Sequence, residues 1–477
     1  MAEAGPRYPA LIRLWGPFAF LFGLGIALAQ DHCFFWDTVS QASRRGSWYY
    51  FLDFHTFFLP PELDSGHPVL FNMYVAAVWK TFGRSLPASH WAMLPFVWGI
   101  LWQLARLVVA LFPAGARRYW AMGLAVSPAA FLGQATLVSP DLVLLFAFLW
   151  ALNSLRCREP WSLALALVLM NMVSLRGLFA AGGLGLFQLF LFGTAHPSRM
   201  RGLADGLRRT SLWPFLLALL YVVIYYSAHF RATGWWISTP HPNWAGGREV
   251  NSPLQLLWQT GILGWRFLDY GFFSYWLVLG GLLWRSCPRT WPQPMRFLLG
   301  AAACTLLAYL PGLLGVSNPI SHRYLLPVMV PMVLGLAYWL LVVQPVSRRG
   351  VVLLLVLNLS GNLWVYPRPI AQAWDATLAH WPYYATRDRF LTALERAGIE
   401  LQQVGTCFPH VGPIDRIDLS GREAGMPPAN LKQDSLVAYC TVMNDFSDAE
   451  LAELDRWNKR IEICRWPICW ILYEKNR

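Results

Sequence analysis

Eleven apolar runs, separated by polar connections, leave few folds open to this 477-residue chain. They fall near residues 11–30, 90–112, 119–138, 140–155, 161–175, 177–193, 211–228, 269–284, 296–315, 324–343 and 351–366. A helix of about 20 apolar residues crosses the roughly 30 Å hydrocarbon core of a bilayer. Because a helix satisfies its own backbone hydrogen bonds in lipid, serial runs of this kind predict a polytopic α-helical membrane protein. Composition agrees: 13% of residues are charged, against about a quarter in soluble domains. The runs between 119 and 193 are the shortest and most closely spaced. Aromatics, not a small-residue cleavage site, follow the first run, so it reads as an anchor and not a signal peptide.

The connections set the expected orientation. Net charge is +12, a balance also found in nucleic-acid-binding proteins. Here the arginines sit between apolar runs: Arg7 and Arg13, then segments 114–118, 156–159, 196–209, 284–296 and 346–350. With eleven crossings they all fall on one side, which the positive-inside rule makes cytoplasmic. No nucleic-acid partner is expected. The expected location is a bacterial inner (plasma) membrane, with the N-terminus cytoplasmic and the C-terminus periplasmic or extracellular. Three substantial pieces then lie outside: loop 31–89, loop 229–268 and the tail from about Asp375. Within the first loop, "PVLFNMYVAAVWKTFG" is apolar but short, and suits a helix lying in the interface.

Past residue 370 the character changes. "RDRFLTALERAG" predicts an amphipathic helix ended by Gly398. "ELQQVGTC", "DSLVAYCTV", "KRIEICRW" and "ICWILYEK" read as strands. "SDAELAELDRW" opens with a capping box, Ser447 and Glu450. The expected organisation is a transmembrane unit over 1–370 and a small extracytoplasmic α/β domain over 371–477. The eight cysteines form no C-x-x-C pair. Cys407, Cys440, Cys464 and Cys469 in the tail read as buried thiols, with a disulfide among them as the alternative.

Ionisable residues are nearly absent from the apolar runs. Arg106 lies near a helix end, where it can snorkel. Proton-coupled transporters place carboxylates at the bilayer midplane, and this chain does not. Its ionisable groups gather on the expected outer face: Asp31, His32, Asp37, Asp53, His55, Glu62, Asp64, His67, Asp141, Arg176, His322 and Arg323. That pattern suits an enzyme with one substrate in the lipid and another in water. Each residue also has a plainer reading. Asp37 and Asp141 can cap helices, Arg176 and Arg323 can anchor at the interface, and Trp48, Tyr49 and Tyr50 can belong to an aromatic belt.

The order of anchor, "WDT", "GHPVLFNMYVAAVWKTFG" and "FGRSLP" resembles the first extracytoplasmic loop of GT-C superfamily glycosyltransferases, among them protein O-mannosyltransferases and lipid A aminoarabinose transferase. "SPAAFLGQATLVSPDLVLLF", "SLRGLF" and "SNPISHRYLLPVMVP" resemble later segments of the same family, so the likeness spans roughly residues 11–345. Val69 stands where the family often has a second proline, and Thr38 where it often has a second acid. The resemblance implies transfer of a sugar from a polyprenyl-phosphate donor to a lipid, glycan or protein acceptor, with inversion. Asp37, Asp141 and His67 are then the expected catalytic residues. Arg323, Tyr324, His322, Arg176, Trp48, Tyr49 and His55 are the expected substrate-binding set. No particular cofactor is implied; a divalent cation stays open, with Asp37 and Asp141 as its ligands if one binds. The chemistry is consistent with these residue types. A carboxylate can take the proton of an acceptor hydroxyl, and an arginine fork can hold the departing phosphate. A flippase for lipid-linked sugars and a polymerase or ligase with a lipid-diphosphate donor are the alternatives.

Overall fold

The computed structural model describes residues 8–195, 212–237, 239–242, 247, 249–285 and 291–476. Arg7, the basic loop 196–209 and residues 286–290 of the loop at 284–296 lie outside them. All eleven predicted runs carry helix, but they are not equal. Seven are long and apolar enough to cross a membrane: Tyr8–Ala29, Leu86–Leu111, Pro140–Cys157, Leu175–Phe192, Trp213–Thr233, Gln293–Leu314 and His322–Val343. The other four contain the shorter helices Ala116–Val126, Pro160–Val173, Phe273–Arg285 and Arg348–Ser360, of 11 to 14 residues. At 1.5 Å per residue such helices reach only about 16–21 Å. The run at 119–138 is split by Pro128, after which a second helix, Ala129–Gln134, begins. Ser127 keeps helical angles and the break falls at Pro128 itself, whose ψ of 132° is extended and which has no N–H to continue the helical ladder.

His322–Val343 and Pro140–Cys157 are the most buried of the seven spans. They form the middle of the bundle, and both carry polar groups at their N-terminal ends. Small residues let neighbouring helices close up around them. A Cβ on Gly183 would meet the Thr305 backbone at 2.5 Å, so only glycine permits the approach of Leu175–Ala195 to Gln293–Leu314.

The first loop folds over one end of this bundle. It contains a π-turn at Val39–Arg44, the helices Arg45–Phe51, Leu70–Phe82 and Leu86–Trp91, and a left-handed Gly83 between the last two. Leu70–Phe82 buries Phe71, Asn72, Val75, Ala76 and Trp79 along one face, as an amphipathic period requires. A helix not anticipated from the sequence, Pro253–Arg266, lies in segment 229–268. It starts at a Ser252–Gln255 capping box.

The tail carries a four-stranded sheet in the order Val404–Gly405, Leu436–Cys440, Ile468–Glu474, Asn458–Arg465. The first pair is parallel and the others antiparallel. The expected first strand is short, because Leu401–Gln403 turns as a 3-10 helix. Pro382–Arg396 is the expected amphipathic helix, and Cys464 and Cys469 are joined by a disulfide across the last hairpin, while Cys407 and Cys440 are free. The tail is held to the exit of the first helix. His32 stacks on Tyr384 at 3.8 Å, Phe35 on His380 at 4.9 Å, and the Phe34 N–H donates to the Ile417 carbonyl. Arg84 forks onto Asp415 at 2.7 and 2.9 Å. These contacts place the segment around Asp375 against the mouth of the bundle.

Candidate functional site

At that mouth one guanidinium gathers three carboxylates. Arg323 lies in the 3-10 turn His322–Leu325 that opens the central span. Its Nη1 donates to Asp375 Oδ2 at 2.5 Å, and its Nη2 donates to Asp37 Oδ2 and, at 3.2 Å, to the Tyr324 hydroxyl. Its Nε sits 3.3 Å from Asp141 Oδ2 without making a hydrogen bond. Asp141 Oδ1 accepts from Arg176 Nη2 at 2.5 Å, and the Arg176 guanidinium lies 3.7 Å over the Tyr324 ring. Arg323, Asp141 and Asp375 are buried. The Asp37 side chain is 32% exposed and is the one carboxylate of the three open to solvent.

The local sequence explains each placement. Asp37 follows Trp36, whose left-handed backbone (φ 53°) turns the chain away from the first helix. The hydroxyl of Thr38, not the Asp37 carboxylate, bonds the Phe35 backbone, donating to its carbonyl and accepting from its N–H. Asp37 therefore reaches across to Arg323 and caps nothing. Asp141 is similar: Ser139 caps the Pro140–Cys157 helix, and Asp141 in its first turn points at the two arginines. Asp375 is held by its own backbone, because the Gln134 side-chain amide donates to its carbonyl at 2.8 Å. A Cβ on Gly133 would meet the Thr377 nitrogen at 2.8 Å, so glycine is needed for this approach.

The other expected residues fall into two groups. His67 is next to the centre: its Nδ1 accepts the Leu175 N–H at 3.3 Å, fixing the start of the helix that carries Arg176. It shares a narrow cleft with Gln41, Arg45, Asn72, Pro140 and Ser174. His322 turns away from Arg323, toward Asp269 at 3.3 Å and the Tyr270 ring. Trp48 donates to Thr56, and Tyr49, fully buried, donates to the Phe57 carbonyl at 2.7 Å. His55 is exposed in the same loop segment. These last three are not brought to the arginine centre. Conversely, Asp375 and Arg45 were not anticipated. Asp375 lies between the last apolar run and the first tail helix, where no pattern marks it.

Two charges of one sign and three of the other set the electrostatics. Burial pushes the Asp375 carboxyl up to about 6; the Arg323 charge opposes this, and Asp37 and Asp141 add to it. Asp37 and Asp141, the ligands expected of a cation if one binds, both meet Arg323 in this structure. The Arg323 guanidinium occupies the space where both carboxylates converge, and Asp141 is already shared by two arginines. Among the described residues no three His, Cys, Asp or Glu side chains are grouped to hold a metal ion. What the centre presents is a pair of arginine guanidinium groups beside an accessible carboxylate. Arg176 and Arg323 each keep a buried Nε–H with no hydrogen-bond partner, and unmade bonds of this kind are costly unless a ligand satisfies them.

Helical spans around an acidic mouth, short helices in the first loop and an α/β tail define a polytopic α-helical membrane architecture. Among solved structures, the crystal structure of ArnT from Cupriavidus metallidurans bound to undecaprenyl phosphate matches this chain. It covers 97% of each chain with a TM-score of 0.52 and 12% identity. The likeness is one of fold. No family model and no curated protein sequence matches the chain.

Proposed function

We propose that this protein transfers a sugar from a polyprenyl-phosphate donor to an acceptor at the extracytoplasmic face of the membrane. The observation that carries the reading is the Arg323–Asp37 centre, with Arg176 alongside, at the mouth of the most buried spans. The fold is shared with a protein whose structure holds undecaprenyl phosphate. Arg323 and Arg176 would hold the donor phosphate through their forked donors. The acceptor hydroxyl oxygen attacks the anomeric carbon, and the bond from that carbon to the phosphate oxygen breaks with its electron pair. Asp37, the exposed carboxylate, takes the hydroxyl proton. A single displacement inverts the anomeric centre. Asp141 holds the two arginines together, and His67 fixes the helix that delivers Arg176.

A lipid-diphosphate donor would use the same face, so the test turns on the product. Purified protein incubated with polyprenyl-phosphate sugars should release the free lipid monophosphate and glycosylate an acceptor. Release of lipid diphosphate, from a diphosphate donor only, would favour the polymerase or ligase reading. Movement of intact donor between leaflets of a vesicle with no release of either lipid product would favour a flippase.

A further inference from the structure

The three-carboxylate centre carries a charge problem that the arriving donor makes worse. Arg176 and Arg323 supply two positive charges; Asp37, Asp141 and Asp375 supply three negative ones when all are ionised. A phosphodiester donor adds another negative charge to a partly dehydrated site. Such a site takes the anion at least cost if a carboxylate gives up its charge. We propose that Asp375 takes up a proton when the donor phosphate binds, staying on Arg323 as a neutral acid while the phosphate replaces Asp37 on Nη2. The inference rests on the polyprenyl-phosphate reading of the site.

Geometry selects Asp375 among the three. Asp141 faces two guanidinium groups, whereas Asp375 meets Arg323 alone. Asp37 is on the water side, where it can leave the arginine and remain hydrated as an anion. Asp375 is buried, and its backbone is fixed by Gln134 and by the close approach of Gly133, so it has nowhere to go but to change its protonation. Its carboxyl already sits near 6 before any phosphate arrives. The surroundings offer no competing group. The Ala129–Gln134 helix packed against it has no charged residue, and Tyr324 reaches Arg323 and not Asp375. His380, two turns further on, is held down to about 4 by burial and is neutral throughout the range concerned. With one proton taken up, the centre holds two positive and three negative charges both before and after binding. Asp37, released from Arg323, becomes the free carboxylate that the acceptor hydroxyl needs.

The test uses the full-length protein in detergent and a short-chain polyprenyl methyl phosphodiester, which has no proton of its own to gain or lose between pH 6 and 8. Wild-type Kd should weaken about tenfold per pH unit as pH rises above about 6.5, the slope of one linked proton. Calorimetry in buffers of different ionisation enthalpy should count close to one proton taken up at pH 7.5, a measurement that needs no variant. Asp375→Asn should bind with no pH slope, and at pH 8 at least as tightly as wild type does at pH 6. Asp37→Asn should keep the slope. A purely structural Asp375 would instead weaken binding by the same factor at every pH. Flat wild-type binding, zero proton uptake, or a slope lost in Asp37→Asn and kept in Asp375→Asn would overturn the inference alone. No binding of the diester at any pH would overturn the donor reading, and the inference with it.

Discussion

At the residue scale, Asp37 and Arg323 define each other. They are 286 positions apart and meet at the mouth of the bundle. Because Thr38, not Asp37, makes the local backbone bonds, Asp37→Asn leaves the turn intact. The variant is expected to fold, to bind donor and to lose turnover by about 10²-fold or more, the scale of a missing general base. Near-normal turnover with bound donor would remove Asp37 from the chemistry. Arg323 answers to a different test. Arg323→Lys keeps the charge but replaces a planar fork with a point donor, so it cannot serve Asp375, Asp37 and Tyr324 together. Activity is expected to fall sharply while the melting temperature changes little. Arg323→Ala is expected to destabilise by about 3–5 kcal/mol, since it strands buried carboxylates without their partner. Equal melting temperatures for Arg323→Ala and wild type would refute the centre as drawn. Asp37, Asp141, Arg176 and Arg323 were legible in the sequence because each stands at the edge of an apolar run, where an ionisable residue is conspicuous. Asp375 was not, since it sits in an ordinary polar stretch and acquires meaning only from the fold around Gly133. Trp48 and Tyr49 were conspicuous for their composition, yet Tyr49 is a core residue of the loop itself.

The scale of elements shows what apolar pattern can and cannot fix. The Leu70–Phe82 helix was legible because it buries one face, and three of the four main tail strands because they are short runs rich in β-branched and aromatic residues. Pro253–Arg266 was passed over, although the Ser252–Gln255 capping box that starts it stands in the sequence. The joint between tail and bundle was invisible for another reason: it is built from aromatic and histidine rings contributed by segments some 350 residues apart. That joint should respond to pH. Burial holds His32 down to about 3 and His380 down to about 4, from 6.5 in the unfolded chain. Depressed histidines contribute stability that is complete above about 6.5. It is lost as pH falls toward 4, where the unfolded chain takes up protons that the folded one refuses. Thermal melting in detergent should therefore drop progressively between pH 6.5 and 4.5. His380→Phe, which keeps a ring against Phe35, should make that decline shallower, and an unchanged slope would show that His380 does not contribute to it.

For the whole molecule, eleven apolar runs were legible but only seven are full-length spans, because length and amphipathicity in the short runs depend on neighbours that pack around them. Contacts between the helices also sort the charged residues by end of the bundle. Arg118 donates to the Val109 and Phe112 carbonyls, Tyr119 to the Arg13 carbonyl, and Arg106 pairs with Glu159 at 3.9 Å. These contacts gather the start of the first helix and the basic connections at one end of the bundle. Asp37, Asp141, Arg176, Arg323 and Asp375 gather at the other, each at the matching end of its own helix or just beyond it. The positive-inside rule predicts that the arginine-rich end is cytoplasmic, which would put the carboxylate centre and the tail docked on it in the opposite compartment. An alkaline phosphatase fused after Arg477 should then be active and a fluorescent protein fused there dark, with the reverse for fusions within segment 156–159. A dark phosphatase at the C-terminus would move the centre, the tail and the acceptor to the cytoplasmic side.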